Sequence, residues 1–154
     1  MIKVVEGDLL QAKEDIIGHQ VNCQNKMNSG VAKSIRQKYP IVFENFKQLS
    51  SFYINSGTQH DLLGKLQIVK VEEGKWVANL FGQFNYGYDG GKYTNEKMLY
   101  QALLELREIA EENGMSVALP YKLGSDRGGA DWSVVEGYIL KAFEGYEVTL
   151  YKLN

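Results

Sequence analysis

Ser116-Val117-Ala118-Leu119-Pro120-Tyr121-Lys122-Leu123-Gly124-Ser125-Asp126-Arg127-Gly128-Gly129-Ala130-Asp131-Trp132 is the stretch on which the reading of this chain turns. Its apolar start, 116–119, predicts a buried strand, and the amphipathic segment after Asp131 predicts a helix. Between them, Gly124, Gly128 and Gly129 let the backbone turn tightly and approach a ligand without a Cβ clash, so that several N–H groups can converge on one anion. A helix beginning near Asp131 adds unpaired N–H groups and a positive dipole end. Phosphate suits such a loop. A plain strand-to-helix connection with Asp131 as its N-cap fits the same residues.

Outward from this stretch, strands and helices alternate. A short β-branched run at 2–6 reads as a buried strand ending in Gly7-Asp8. Residues 9–13 form one helical turn, and 16–21 form a second strand whose apolar and polar residues do not alternate, as when helices cover both faces. An amide-rich loop, 22–30, leads into a short amphipathic helix with Val31, Ala32 and Ile35 on one side, stopped before Pro40. A second helix over 42–52 presents Val42, Phe43, Phe46 and Leu49. Strands at 66–72 and 76–81, separated by Glu73-Gly74, read as an antiparallel hairpin. A long glycine and aromatic loop, 82–93, precedes the longest helix, for which Thr94 is the expected N-cap, Leu99, Leu103, Leu106 and Ala110 the core stripe, and Asn113-Gly114 the stop. The last helix carries Val134, Val135, Tyr138, Ile139, Ala142 and Phe143 to Gly145, and 146–153 is a final strand. The expected fold is α/β, a three-layer α/β/α sandwich with a mixed β-sheet, over a single domain spanning 1–154. Ligands in such sheets sit beyond the carboxyl ends of the strands, which brings Asp8 and the three loops after Val21, Phe81 and Leu119 to one cleft.

Bulk composition narrows the function. The 154 residues are 44% hydrophobic and 23% charged, with a net charge of −2, so no basic face large enough for bulk nucleic acid is implied. Cys23 is the only cysteine, which excludes an internal disulfide and a multi-cysteine metal site and fits a reducing compartment. His19 and His60 have no metal-ligand spacing, so neither metal nor cofactor is expected. No secretion signal or membrane span is visible, which points to a cytoplasmic protein, expected to be a monomer.

Gly7-Asp8, Val21-Asn22 with the amide loop into Gly30-Val31-Ala32, and Leu119-Pro120 followed by the glycine loop resemble, in order and spacing, the macrodomain family, which binds ADP-ribose. The pattern from His19 through Asn22-Cys23 and Ser29-Gly30 to Tyr39-Pro40 is similar to the small single-domain branch that includes ADP-ribose 1''-phosphate phosphatases and terminal ADP-ribose hydrolases. The resemblance implies that Asp8 and Leu9 meet the adenine, with Tyr151 against its face. It also implies that Gly124, Ser125, Arg127, Gly128 and Gly129 hold the diphosphate, and that Asn22, Asn28, Ser29, Gly30 and Val31 surround the distal ribose. On residues alone, Asp8 reads equally as a helix cap, Tyr151 as a strand aromatic and the Asn22 loop as a solvated turn.

Three side chains are candidates for chemistry on the distal end: His19, Asp126 and Asp131. An imidazole near neutral pKa serves as base, acid or phosphoryl acceptor. Strand parity places His19 and Asn22 on opposite faces, so a core histidine fits as well. The covalent hydrolases of this branch use a lysine after the middle strand and an aspartate in the phosphate loop. Those positions fall near Gly82-Gln83-Phe84 and Gly128 here, leaving Lys92, Asp126 or Asp131 as displaced substitutes. The leading expectation is hydrolysis of ADP-ribose 1''-phosphate. The alternatives are a non-catalytic module for ADP-ribose or an NAD derivative, and a hydrolase of modified macromolecules that meets its substrate at Lys26, Lys33 and Arg36.

Overall fold

The computed structural model describes residues 1–153. One six-stranded sheet runs in the order β1-β6-β5-β2-β4-β3, where β1 is Ile2–Glu6, β2 Ile16–Val21, β3 Leu66–Glu72, β4 Lys75–Phe81, β5 Val117–Pro120 and β6 Val148–Lys152. All neighbours are parallel except β3, which pairs antiparallel with β4. The sheet is therefore mixed, with one hairpin at its edge.

Helices α1 (Gly30–Lys38) and α2 (Pro40–Asn55) cover one face, and α3 (Glu96–Asn113) and α4 (Trp132–Ala142) cover the other. Strand parity makes the division. Along β2, Ile16 belongs to the α3/α4 core, whereas Ile17 and Val21 belong to the α1/α2 core. The same alternation in β4 sends Ala78 and Leu80 one way and Val77 and Phe81 the other. Leu99, Leu103, Leu106 and Ala110 of α3 are all buried, as their spacing requires, and each leucine contributes roughly 1.5–3 kcal/mol of apolar burial. α3 stops at Gly114, whose left-handed backbone (φ 63°) turns the chain and donates to the carbonyls of Ala110 and Glu111.

Four expectations are corrected. β1 is an edge strand, not a buried one: Val4 is 49% exposed because no strand flanks it on one side. The N-cap of α3 is Asn95, whose side chain accepts from the Met98 amide, while Thr94 is buried in the glycine loop's hydrogen-bond network. Val134 of α4 is exposed; Val135, Ile139 and Ala142 form the buried stripe. Residues 9–13 shorten to a 3₁₀ turn, Leu9–Gln11, capped by Asp8. No helix among the described residues is long and apolar enough to cross a membrane.

Candidate functional site

The five parallel strands share one carboxyl edge, so the segments after β1, β2, β4 and β5 emerge side by side. A cleft of about 200 Å³ opens there, lined by the end of β2, the start of α1, Gln83 and the 86–88 turn, and the segment from Pro120 to Gly128. The connections after β2, β4 and β5 run over these strand ends, so loops that are far apart in sequence share the cavity.

The glycine loop is a compact series of turns. Ser125 donates its amide to the Lys122 carbonyl, Gly129 to Asp126 and Ala130 to Gly124, which folds the loop back on itself. The amides of Gly124, Asp126, Arg127 and Gly128 have no acceptor among the described residues, and all four residues line the cleft. Backbone N–H groups left in this way are the natural partners of an anion. The glycines have a second duty. A Cβ on Gly129 (φ 72°) would stand 2.5 Å from the Gly91 carbonyl oxygen and 2.9 Å from Lys92 Cα, and one on Gly128 would meet the Thr94 hydroxyl and, at 2.5 Å, the Gly124 carbonyl. They are glycine so that this loop can pack against the 82–95 segment, as well as for approach to a ligand.

The 82–95 segment is fastened to the glycine loop. The amides of Tyr93 and Thr94 both donate to the Gly128 carbonyl, at 2.7 and 2.9 Å. The Thr94 hydroxyl donates to the Gly124 carbonyl at 2.7 Å and accepts from Gln20, whose amide nitrogen also donates to Gln83. Within the turn, the Tyr93 hydroxyl donates to Asp89 at 2.6 Å and the Gly91 amide at 2.9 Å, and these bonds hold the Asp89 carboxyl below its ordinary range. Tyr86 and Tyr88 stand at the mouth, and the Arg127 guanidinium lies 4.9 Å from the centre of the Tyr88 ring.

His19 lies at the inner end of the cleft, 1% exposed. Its Nε2 is 2.6 Å from Asn79 Oδ1, Asn79 donates to Gln67 at 3.0 Å, and Gln67 donates to the Asn45 carbonyl of α2. Because the Asn79 oxygen can only accept, the proton is assigned to Nε2, and Nδ1 is a buried lone pair without a protein partner. Burial lowers the imidazole pKa to about 4, with the Asn79 hydrogen bond opposing the shift in part. His19 is therefore neutral near pH 7 and lacks the second proton that an imidazolium would give as an acid.

Comparison with known proteins fits this geometry. No family model matches the sequence. The macrodomain of Mycobacterium tuberculosis DarG superimposes with a TM-score of 0.81 at 25% identity, covering 98% of this chain and 97% of that one. The chain has the macrodomain fold. Curated DNA ADP-ribosyl glycohydrolases from Mycobacterium tuberculosis and Mycobacterium bovis are each 29% identical over 150 residues, 94% of this chain. The chain spans 39% of the length of those relatives. Thermosipho africanus DarTG, solved in complex with ADP-ribose, matches with a TM-score of 0.76 at 20% identity over 98% of this chain and 41% of its own.

Within this fold, His19, Asn22, Asn28, Ser29, Gly30, Val31, Gly124, Asp126, Arg127 and Gly128 come together on the cleft. Asn22 organises its own loop: Oδ1 accepts from the Gln24 and Lys26 amides and Nδ2 donates to the Lys26 carbonyl. Asn28 accepts from Arg36, which in turn lies 3.6 Å over Phe43. Asp8, Leu9 and Tyr151 stand at the same edge of the sheet but beyond this cleft, at the ends of β1 and β6. Asp8 caps the 3₁₀ turn by accepting from Leu10, and the Tyr151 hydroxyl donates to Glu14 at 2.6 Å. Asp131 is a correction: it caps α4, accepting from the Ser133 amide and hydroxyl, and it does not line the cleft. Ser125 and Gly129 do not line the cleft. Burial pushes the Cys23 thiol up to about 12, so it is no nucleophile. Gln20 and Gln83 were not among the expected site residues. A polar side chain in a strand covered on both faces was the signal for Gln20.

Proposed function

We propose that this macrodomain, acting as one domain, binds ADP-ribose in the cleft and hydrolyses the bond between C1'' of the distal ribose and a group attached there. The observation that carries the reading is the set of four unpaired amides at Gly124, Asp126, Arg127 and Gly128, beside the Arg127 guanidinium, on one cleft wall. A diphosphate satisfies all of them at once. The DarTG complex with ADP-ribose supports the choice of ligand, and the similarity to curated DNA ADP-ribosyl glycohydrolases supports a glycohydrolase reaction. Asp126 is the only carboxylate on the cleft among the described residues, and it is assigned as base. It takes a proton from a water that attacks C1'', the bond from C1'' to the leaving atom breaks, and the proton passes to the leaving atom. Positioning of the two reactants supplies most of the rate gain. His19, neutral and buried, holds position instead of donating a proton.

The test offers the protein an oligonucleotide carrying ADP-ribose on one base and, separately, ADP-ribose 1''-phosphate. Release of ADP-ribose from the oligonucleotide is expected, slowed about 100-fold or more by Asp126→Asn. Phosphate release as the only turnover would replace this reading with the phosphatase. A second reading, binding without chemistry, is favoured by the lack of a lysine at Gly82-Gln83-Phe84, near which the resemblance implies one; the Gln83 amide is instead tied to Gln20 and to the Asn85 carbonyl. It predicts ADP-ribose binding with no turnover of either substrate.

A further inference from the structure

We infer that Tyr88, with Tyr86 and Arg127, forms a stacking rim for a flat heterocycle attached at C1'' of the distal ribose, so that the cleft selects base-bearing ADP-ribose over ADP-ribose on a protein side chain. The inference rests on the function proposed above. Tyr86 and Tyr88 are 39% and 60% exposed, although each ring carries a large apolar surface. Isolated exposed aromatics are common, but here two lie edge to face, centroids 6.1 Å apart, on the lip of the cleft.

The rim is held in place before any ligand arrives. The Tyr93 hydroxyl and Gly91 amide both bond Asp89, Gln83 pairs with Thr94 across the base of the loop, and the Tyr93 and Thr94 amides tie it to Gly128. Gly87 sits against the Tyr93 ring, where any Cβ would collide with it. A turn tied at both ends loses little freedom on binding, which favours a recognition role.

The chemistry of the rim names its guest. Arg127 lies 4.9 Å from the Tyr88 ring centre, and a guanidinium stacks on a π face as readily as it pairs with phosphate. A heterocycle finds two tyrosine rings and a flat cation there. A carboxylate-linked protein side chain, by contrast, is aliphatic beyond its ester linkage and leaves the rings in water. Stacking of one base on an aromatic side chain is worth about 5- to 150-fold in affinity.

Calorimetry compares three ligands: ADP-ribose, NAD⁺, which carries a flat ring at the same C1'' atom, and an Asp126→Asn complex with an oligonucleotide ADP-ribosylated on one base. A base-bearing ligand should bind about tenfold tighter than ADP-ribose. Tyr88→Ala should bring that affinity ratio close to one, and Tyr88→Phe should preserve it. An advantage for both conjugates means that the ring alone is read, and an advantage for the oligonucleotide alone means that the nucleic acid is the source; either supports the rim. A ratio unchanged in Tyr88→Ala overturns it. So does an equal advantage for a peptide ADP-ribosylated on glutamate. Absence of ADP-ribose binding in the parent protein defeats the proposed function and the rim together, whereas intact ADP-ribose binding without a base advantage defeats the rim alone.

Discussion

At the scale of single residues, His19 is the side chain whose environment most changes its chemistry. The imidazole is neutral in the folded state down to a pKa of about 4, against 6.5 when exposed. Between those two values the unfolded chain binds the proton and the folded one does not, so stability falls as pH drops through that window. The loss is full below it and absent above about 6.5. The shift corresponds to about 3 kcal/mol. Urea denaturation at pH 7 and pH 4.5 should show a drop that His19→Gln largely removes; an identical drop in the variant would disprove the assignment. Little of this was visible in the sequence. The partner that fixes the tautomer, Asn79, lies on another strand, and parallel pairing of β2 with β4 brings the two side by side. Asp131 shows the opposite case: its cap role was legible from the residue that follows the glycine loop, and the tempting catalytic role was the one the fold did not support.

At the scale of elements, the glycine loop and the 82–95 segment behave as one body. Gly129 demonstrates it. Alanine there meets the Gly91 carbonyl in addition to the left-handed backbone penalty, whereas Gly90, also at positive φ, faces open space. Gly129→Ala should therefore cost about 1–3 kcal/mol more than Gly90→Ala in chemical denaturation. It should also weaken ADP-ribose binding, because the amides of the cradle shift with the displaced loop. Equal effects of the two substitutions would separate the loops. The helices were legible because their apolar spacing is a local signal: the α3 stripe and its Gly114 stop stand where periodicity put them. Their ends were less so. Thr94 and Asn95 are both good caps by type, and the choice between them is made by Gly124 and Gln20, which occupy the Thr94 hydroxyl. β1 misled for a related reason, since a β-branched run looks the same in an edge strand as in a central one.

At the scale of the whole molecule, the alternation of strands and helices with one hairpin was enough to give a mixed sheet between two helical layers, but not its strand order. That order puts β6 and β5 between β1 and β2, which is why Asp8 and Tyr151 share an edge with the cleft without lining it. On the proposed reading, a long ligand with a diphosphate at its middle would span that distance, adenosine at the β1 and β6 ends and distal ribose beside α1. The most direct measurement is calorimetric titration of the protein with ADP-ribose and with AMP. The expected result is saturable one-to-one binding of ADP-ribose, with AMP at least tenfold weaker because it lacks the second phosphate and the distal ribose. Equal affinity for the two, or no saturable binding of ADP-ribose at millimolar concentration, would contradict a diphosphate seated on the Gly124 to Gly128 amides.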